Sequence, residues 1–264
     1  MRYIVDNDLH IHSRLSLCSG DENQTPQAIL DYAEKNGLKT ICITDHFWDE
    51  AIDGATVWYG KQNYSHICES KPLPQKDGIR FLFGCETELH KTLTLALSKE
   101  KMDLFDFIII PTTHMHMSDF AIYPSEVATV EARVNTWIKR FDNILERDLP
   151  FHKIGLAHLT CRLITKEWQD FYDTIAALPE DEMRRLFTKA AQLGVGIELN
   201  ADDVKYADEY VDVLFKPYRI AKECGCKFYL GSDAHKNKEL DKGVAVFERA
   251  VDILGLTEDD KFRI

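Results

Sequence analysis

Short apolar runs recur along the chain, each broken within a few residues by polar positions or glycine. Asp8–His10, Thr40–Thr44, Arg80–Glu86, Phe107–Ile110, Lys153–Ala157, Gly196–Asn200 and Phe228–Gly231 have the length and residue types of buried strands. Most of the gaps between them carry helical spacing instead. Thr25 and Pro26 open one helix as cap and first residue; Ala28, Ile29, Tyr32 and Ala33 give it an apolar stripe, and Asn36-Gly37 stops it. A longer helix is expected from near Ser125. Val127, Val130, Val134, Trp137, Ile138, Phe141 and Leu145 follow at spacings of three and four. Met183, Leu186, Phe187 and Ala190 mark another, ending at Gly194; further helices are expected from about Pro217 to Cys224 and from Val244 to Leu254.

Strands that alternate with helices imply parallel pairing with covered faces. Seven strand candidates in 264 residues suit a barrel better than an open sheet. The expected fold is α/β, a distorted (β/α)7 TIM-like barrel occupying residues 1–264 as a single domain. Two connections are long: Phe47–Gly78, with Trp48, Trp58, Tyr59, Tyr64 and His66, and Met115–Pro124. Such loops serve as lids or binding loops, or else decorate the surface.

Composition narrows the function. A 45% hydrophobic chain can bury a sizeable core. No apolar run of 18 residues could cross a membrane, and the start of the chain lacks the features of a secretory signal. A cytoplasmic protein is expected. The seven cysteines form no C-x-x-C pair, so neither a disulfide framework nor a zinc ribbon is expected. A net charge of −12 counts against a general grip on nucleic acid. It leaves room for an anionic substrate where bound cations reverse the local field.

The histidines change the picture most. Of ten, His10, His12, His46, His114, His116, His158 and His235 stand at or just past a strand's C-terminal end. Glu86, Glu198-Leu199-Asn200 and Asp233 occupy equivalent positions. In a β/α barrel these ends share one face, where active sites sit. His10 and His12, His114 and His116, and Asp233 and His235 each flank one residue, so on extended backbone each pair points one way. A lone histidine ending a strand is ordinarily a surface or hydrogen-bonded residue. A whole ring of them with carboxylates would be costly to desolvate without a shared cation. Imidazole mixed with carboxylate suits zinc, manganese or iron.

Asp8-Leu9-His10-Ile11-His12, Thr44-Asp45-His46, Gly84-Cys85-Glu86, Thr112-Thr113-His114, Ala157-His158, Glu198-Leu199-Asn200 and Gly231-Ser232-Asp233-Ala234-His235 together resemble the polymerase and histidinol phosphatase (PHP) family. The likeness runs in the family's order from residue 8 to 235 and is nearest to its stand-alone phosphatases. It implies two to three divalent ions. His10, His12, Glu86 and Asp233 would hold the first; Glu86 would bridge to a second, with His114 and His158; His46 and His235 would serve a third. Where relatives add a further ligand to the third, Ser16-Leu17-Cys18-Ser19-Gly20-Asp21 offers Cys18, with Asp21 behind it.

The resemblance further implies hydrolysis of a small phosphate monoester, with L-histidinol phosphate as the named substrate, by metal-activated hydroxide and without a covalent intermediate. His116, extra to the family pattern, is a candidate ligand or proton donor. Arg14 and Arg162 are candidates for the phosphate, ahead of Lys236, and Glu198 and Asn200 for orienting ligand imidazoles. Three alternatives stand beside this: a phosphodiesterase or nuclease of the same family, a non-catalytic metal-binding module, and a metal-dependent amidohydrolase. The last often carries a bridging lysine, and no lysine occupies a matching strand end.

Overall fold

The computed structural model describes residues 1–206 and 208–264. Its strands are β1 (Asn7–Ile11), β2 (Thr40–Ile43), β3 (His46–Phe47), β4 (Arg80–Thr87), β5 (Phe107–Pro111), β6 (Ile154–Ala157), β7 (Gly196–Asn200) and β8 (Lys227–Gly231). All pair in parallel, in the order β1-β2-β4-β5-β6-β7-β8. β3 resumes the path of β2 after a break at Thr44-Asp45 and pairs with the far end of β4. The fold is a distorted TIM-like barrel with helices between strands, as the alternation predicted.

Closure falls between β8 and β1, where side chains replace much of the ladder. Asn7 Oδ1 accepts from the Leu230 amide at 3.1 Å, and Asp8 Oδ1 from that of Ser232 at 2.9 Å. Backbone bonds then join Asp233 N to His10 O (2.7 Å) and His12 N to Ala234 O (3.1 Å). Inside, Leu9, Cys42, Leu82, Phe107, Ile109, Ala157 and Tyr229 form one apolar cluster with Phe262 from the C-terminal tail. Strands that are not neighbours can meet only across the interior. Phe107 on β5 and Tyr229 on β8 do so, edge to face at 5.1 Å. A larger apolar layer fills the space between sheet and helices.

The first helix is Pro26–Asn36, with the Thr25 side chain accepting from Ala28 N and Gly37 left-handed at φ 70°. The helix Glu180–Leu193 ends at Gly194 in the same way. Lys216–Glu223 and Gly243–Leu254 lie within a residue of expectation. The long helix starts later than expected. Pro124–Val127 is a separate 3-10 turn, and Val130–Leu145 begins only where the Thr129 side chain accepts from Ala132 N. The apolar stripe continues through both segments, which hid the break. A helix at Trp168–Ala176 was not anticipated. Among the described residues no helix is long and apolar enough to cross a membrane.

The two long connections pack on each other. Tyr59 stacks on Phe120 at 5.0 Å, and Trp48 lies 5.4 Å from the same ring. Trp48 and Tyr59 are buried. Together the loops form an aromatic wall beside the strand ends.

Candidate metal centre

The strand ends bring together the side chains expected as ligands. His10, on β1, and His12, just past it, are fully buried; Glu86 on β4, His114 beyond β5 and His158 beyond β6 are nearly so. Around a first position stand His10 Nε2, His12 Nε2, Glu86 Oε2 and Asp233 Oδ1. The two nitrogens are 3.1 Å apart. His10 Nε2 lies 3.7 Å from Glu86 and 3.4 Å from Asp233; His12 Nε2 lies 3.4 and 3.1 Å from the same oxygens. Ligands about 2.1 Å from one ion and set tetrahedrally stand roughly 3.4 Å apart. The spacing is that of ligands around a shared cation.

Glu86 turns its other oxygen to a second position. Oε1 is buried without a hydrogen-bond partner and faces His114 Nε2 at 3.7 Å and His158 Nε2 at 3.5 Å. Asp233 Oδ2 lies 3.6 Å from His158 Nε2, so this carboxylate straddles the two positions as well. A third group joins ring nitrogens of His46 and His235 to one of His12. His12 and His235 stack with centroids 4.0 Å apart. The carboxylate that reaches this group is Glu86 again, its Oε2 2.9 Å from His46 Nδ1. Cys18 lines the same cavity but stays outside the group, and Asp21 instead accepts the backbone N–H groups of Asn23 and Asn237.

Oxygen atoms behind the imidazoles fix which nitrogen faces inward. His10 Nδ1 meets Glu198 Oε1 at 2.6 Å, and His114 Nδ1 meets Glu88 Oε2 at 2.7 Å. His12 Nδ1 meets Ser16 Oγ at 2.9 Å, while Ser16 gives its own proton to Asp45 at 2.6 Å. This network assigns the Nδ1 protons outward and leaves Nε2 lone pairs inward. Two such lone pairs, on His10 and His12, then confront each other across 3.1 Å. A cation between them removes that repulsion, and the donor set fits one.

In the metal-free protein protons serve instead. Burial works against a charged His10, but Asp233, Glu198 and Glu86 raise it well above the ordinary imidazole value. Burial likewise opposes a charged Glu86, yet His46 and His10 hold it well below the carboxylate range. A bound ion must therefore displace protons. Burial lowers His116 to about 4 and His235 to about 3, and raises Asp203 to about 8. Burial against the cavity wall, and then the charges of Glu86 and Asp233, push the Cys18 thiol up to about 12.

Two of the gathered residues carry unusual backbone. His158 has φ 63° and Asp233 φ 53°, a left-handed conformation that costs a non-glycine residue about 1–3 kcal/mol. Both lie at the turn immediately beyond their strands, where the chain must swing a side chain back over the barrel mouth.

The cavity above the cluster has a volume of about 810 Å3. Trp58, Tyr59 and Met117 wall one side, and Arg162, Lys205, Lys236 and Lys242 bring cations to the lining. His116 also lines it, its ring 5.6 Å from that of His114. Arg162 is exposed, its guanidinium 5.2 Å over the Trp168 ring. Arg14 is elsewhere: it pairs with Glu22 at 3.1 Å and lines a separate groove. Glu198 bonds His10, as anticipated for an orienting group, and also accepts from the His158 amide. Asn200 caps the turn after β7 by accepting from Asp202 N. Sequence reasoning missed Ser16, Asp45 and Glu88. For Glu88 a signal existed, since it lies two residues beyond Glu86 on the same alternation.

Residues 8–202 match the PHP domain family model, which leaves Asp233 and His235 to be placed by geometry. A curated protein of Syntrophotalea carbinolica described as "Probable phosphatase" is 26% identical over 254 residues, covering 94% of this chain and 85% of that protein. Among solved structures, the histidinol phosphate phosphatase of Lactococcus lactis, complexed with zinc, L-histidinol and phosphate, has a TM-score of 0.58 at 16% identity, with 93% of each chain covered. A candidate histidinol phosphatase of Listeria monocytogenes has a TM-score of 0.66 at 14% identity, covering 91% of this chain and 99% of that one. At such identities the structures show a shared fold.

Proposed function

Because the chain belongs to the PHP domain family, we propose that it is a metal-dependent phosphatase acting on a small phosphate monoester. The observation that carries this reading is the double use of Glu86, whose two oxygens face two separate sets of inward imidazole nitrogens. Divalent zinc, manganese or iron held at two to three such positions supplies a Lewis acid for the phosphoryl oxygens and an acidified water as nucleophile. Glu198, Ser16 and Glu88 keep His10, His12 and His114 in the tautomer that such ions need. Lys236, Lys242 and Arg162 at the lining offset an otherwise acidic surface for an arriving phosphate. Trp58, Tyr59 and Met117 exclude water from one flank. His116 is neutral near pH 7, so its ring can donate one N–H to a leaving oxygen without carrying charge. The cavity is of small-molecule size. L-histidinol phosphate is the first ester to try, because the Lactococcus neighbour was solved with L-histidinol and phosphate.

The test is phosphate release from a panel of monoesters, run beside bis(p-nitrophenyl) phosphate, with and without chelator. Fast, chelator-sensitive monoester turnover is expected. His10→Ala and Asp233→Ala should each lose bound metal and at least 100-fold in kcat, with far-UV circular dichroism unchanged. Full turnover in either variant would refute the assignment. Faster cleavage of the diester would replace monoester with diester. An inert L-histidinol phosphate beside another fast monoester would change only the named substrate.

A further inference from the structure

His10, His12 and His114 each have an oxygen behind Nδ1. His158 lacks one. Its Nε2 faces Glu86 and Asp233, while its Nδ1 is buried without a hydrogen-bond partner. Close by lies a second stranded group. Asp203 is fully buried, and neither of its carboxylate oxygens has a partner. A ring nitrogen of His158, Sγ of Cys161 and a carboxylate oxygen of Asp203 all lie within 4.8 Å of one another.

A buried donor and a buried acceptor left apart are each penalised. One hydrogen bond between them, direct or through a single water, relieves both. The turn that follows β7 brings Asp203 to this place: its amide donates to Asn200 O at 3.0 Å, and Asn200 Oδ1 accepts from Asp202 N at 2.9 Å. Cys161 fills the remaining side, its sulfur 3.4 Å from Thr113 Oγ1.

We propose that Asp203 is the positioning residue of His158, its carboxylate accepting the hydrogen bond from Nδ1–H so that the Nε2 lone pair stays on the second metal position. The role rests on the metal-dependent reading above. Imidazole, thiol and carboxylate would also suit a separate zinc ion. That arrangement would strip both ring protons from His158, whose Nε2 is already committed, so the hydrogen bond is favoured.

Zinc titration of the metal-free protein against a chromogenic chelator separates these outcomes without relying on activity. The variants are His158→Ala, Asp203→Leu, Asp203→Asn and Cys161→Ala, each checked for folding by circular dichroism. His158→Ala is expected to lose one equivalent of zinc. Asp203→Leu should keep every equivalent but bind one about 10–100-fold more weakly. Asp203→Asn, whose amide oxygen can still accept, should recover most of that loss, and Cys161→Ala should match the unsubstituted protein. Unchanged affinity in Asp203→Leu would overturn the role. Loss of an equivalent in Cys161→Ala would overturn it in favour of a zinc ion at the thiol. Failure of the unsubstituted protein to bind zinc at all would instead bring down the metal reading itself.

Discussion

Gly231 leaves room that Glu198 needs. A Cβ on it would collide with Glu198 Oε1 and come within 2.7 Å of His10 Cβ, and Glu198 is the group that turns the His10 ring. Gly231→Ala is therefore expected to push the carboxylate off Nδ1 and weaken zinc at the first position about 10–100-fold, with the fold retained. A chelator titration indistinguishable from the parent protein would disprove this. At this scale, legibility followed backbone regularity. His10 and His12 were readable because extended chain alternates faces, so two-residue spacing tells where a side chain points, and Glu86 and His114 because each stands at or just past the C-terminal end of a strand. Ser16, Asp45 and Asp203 lie outside the strands, where spacing carries no such information. Arg14 shows the same limit from the other side. It is two residues from His12, yet the chain has left the strand and sends it to solvent beside Glu22.

Among elements, all seven expected strands exist, because a run of buried apolar residues ended by polar ones is a strong signal. The break of β2 into β2 and β3 was not legible. It follows from His46 pairing with Glu86 after an irregular Thr44-Asp45, a matter of register between distant residues. The long helix shows how a continuous stripe can conceal a start. Its cap is Thr129, whose hydroxyl accepts from Ala132 N at 3.1 Å. Thr129→Ala is expected to cost about 1 kcal/mol and to lower Tm by roughly 2–4 °C, whereas Ser125→Ala should leave Tm nearly unchanged. Calorimetry on both checks this; an equal loss at Ser125 would move the start of the helix back. The cap bears on the site because Arg140 of this helix holds the carbonyls of Thr112, Ala121 and Leu89, bracing the segments that carry His114 and Glu88.

Over the whole molecule, the acidic balance and the proposed anionic substrate are reconciled by position. Carboxylates converge at the barrel mouth among imidazoles, and lysines and an arginine line the cavity above. The weakest joint in the sheet lies there too. β1 and β8 meet through Asn7, Asp8 and a pair of backbone bonds at their far ends, while the first ligand set draws His10 and His12 from one side of that joint and Asp233 from the other. A cation in that place would act as a rivet through overlapping staves. Chelation is then expected to speed amide exchange at Leu230, Ser232 and Asp233 well before it touches β4 and β5, so that the hoop springs at one stave first; an even acceleration around the circumference would show that the rivet carries no load.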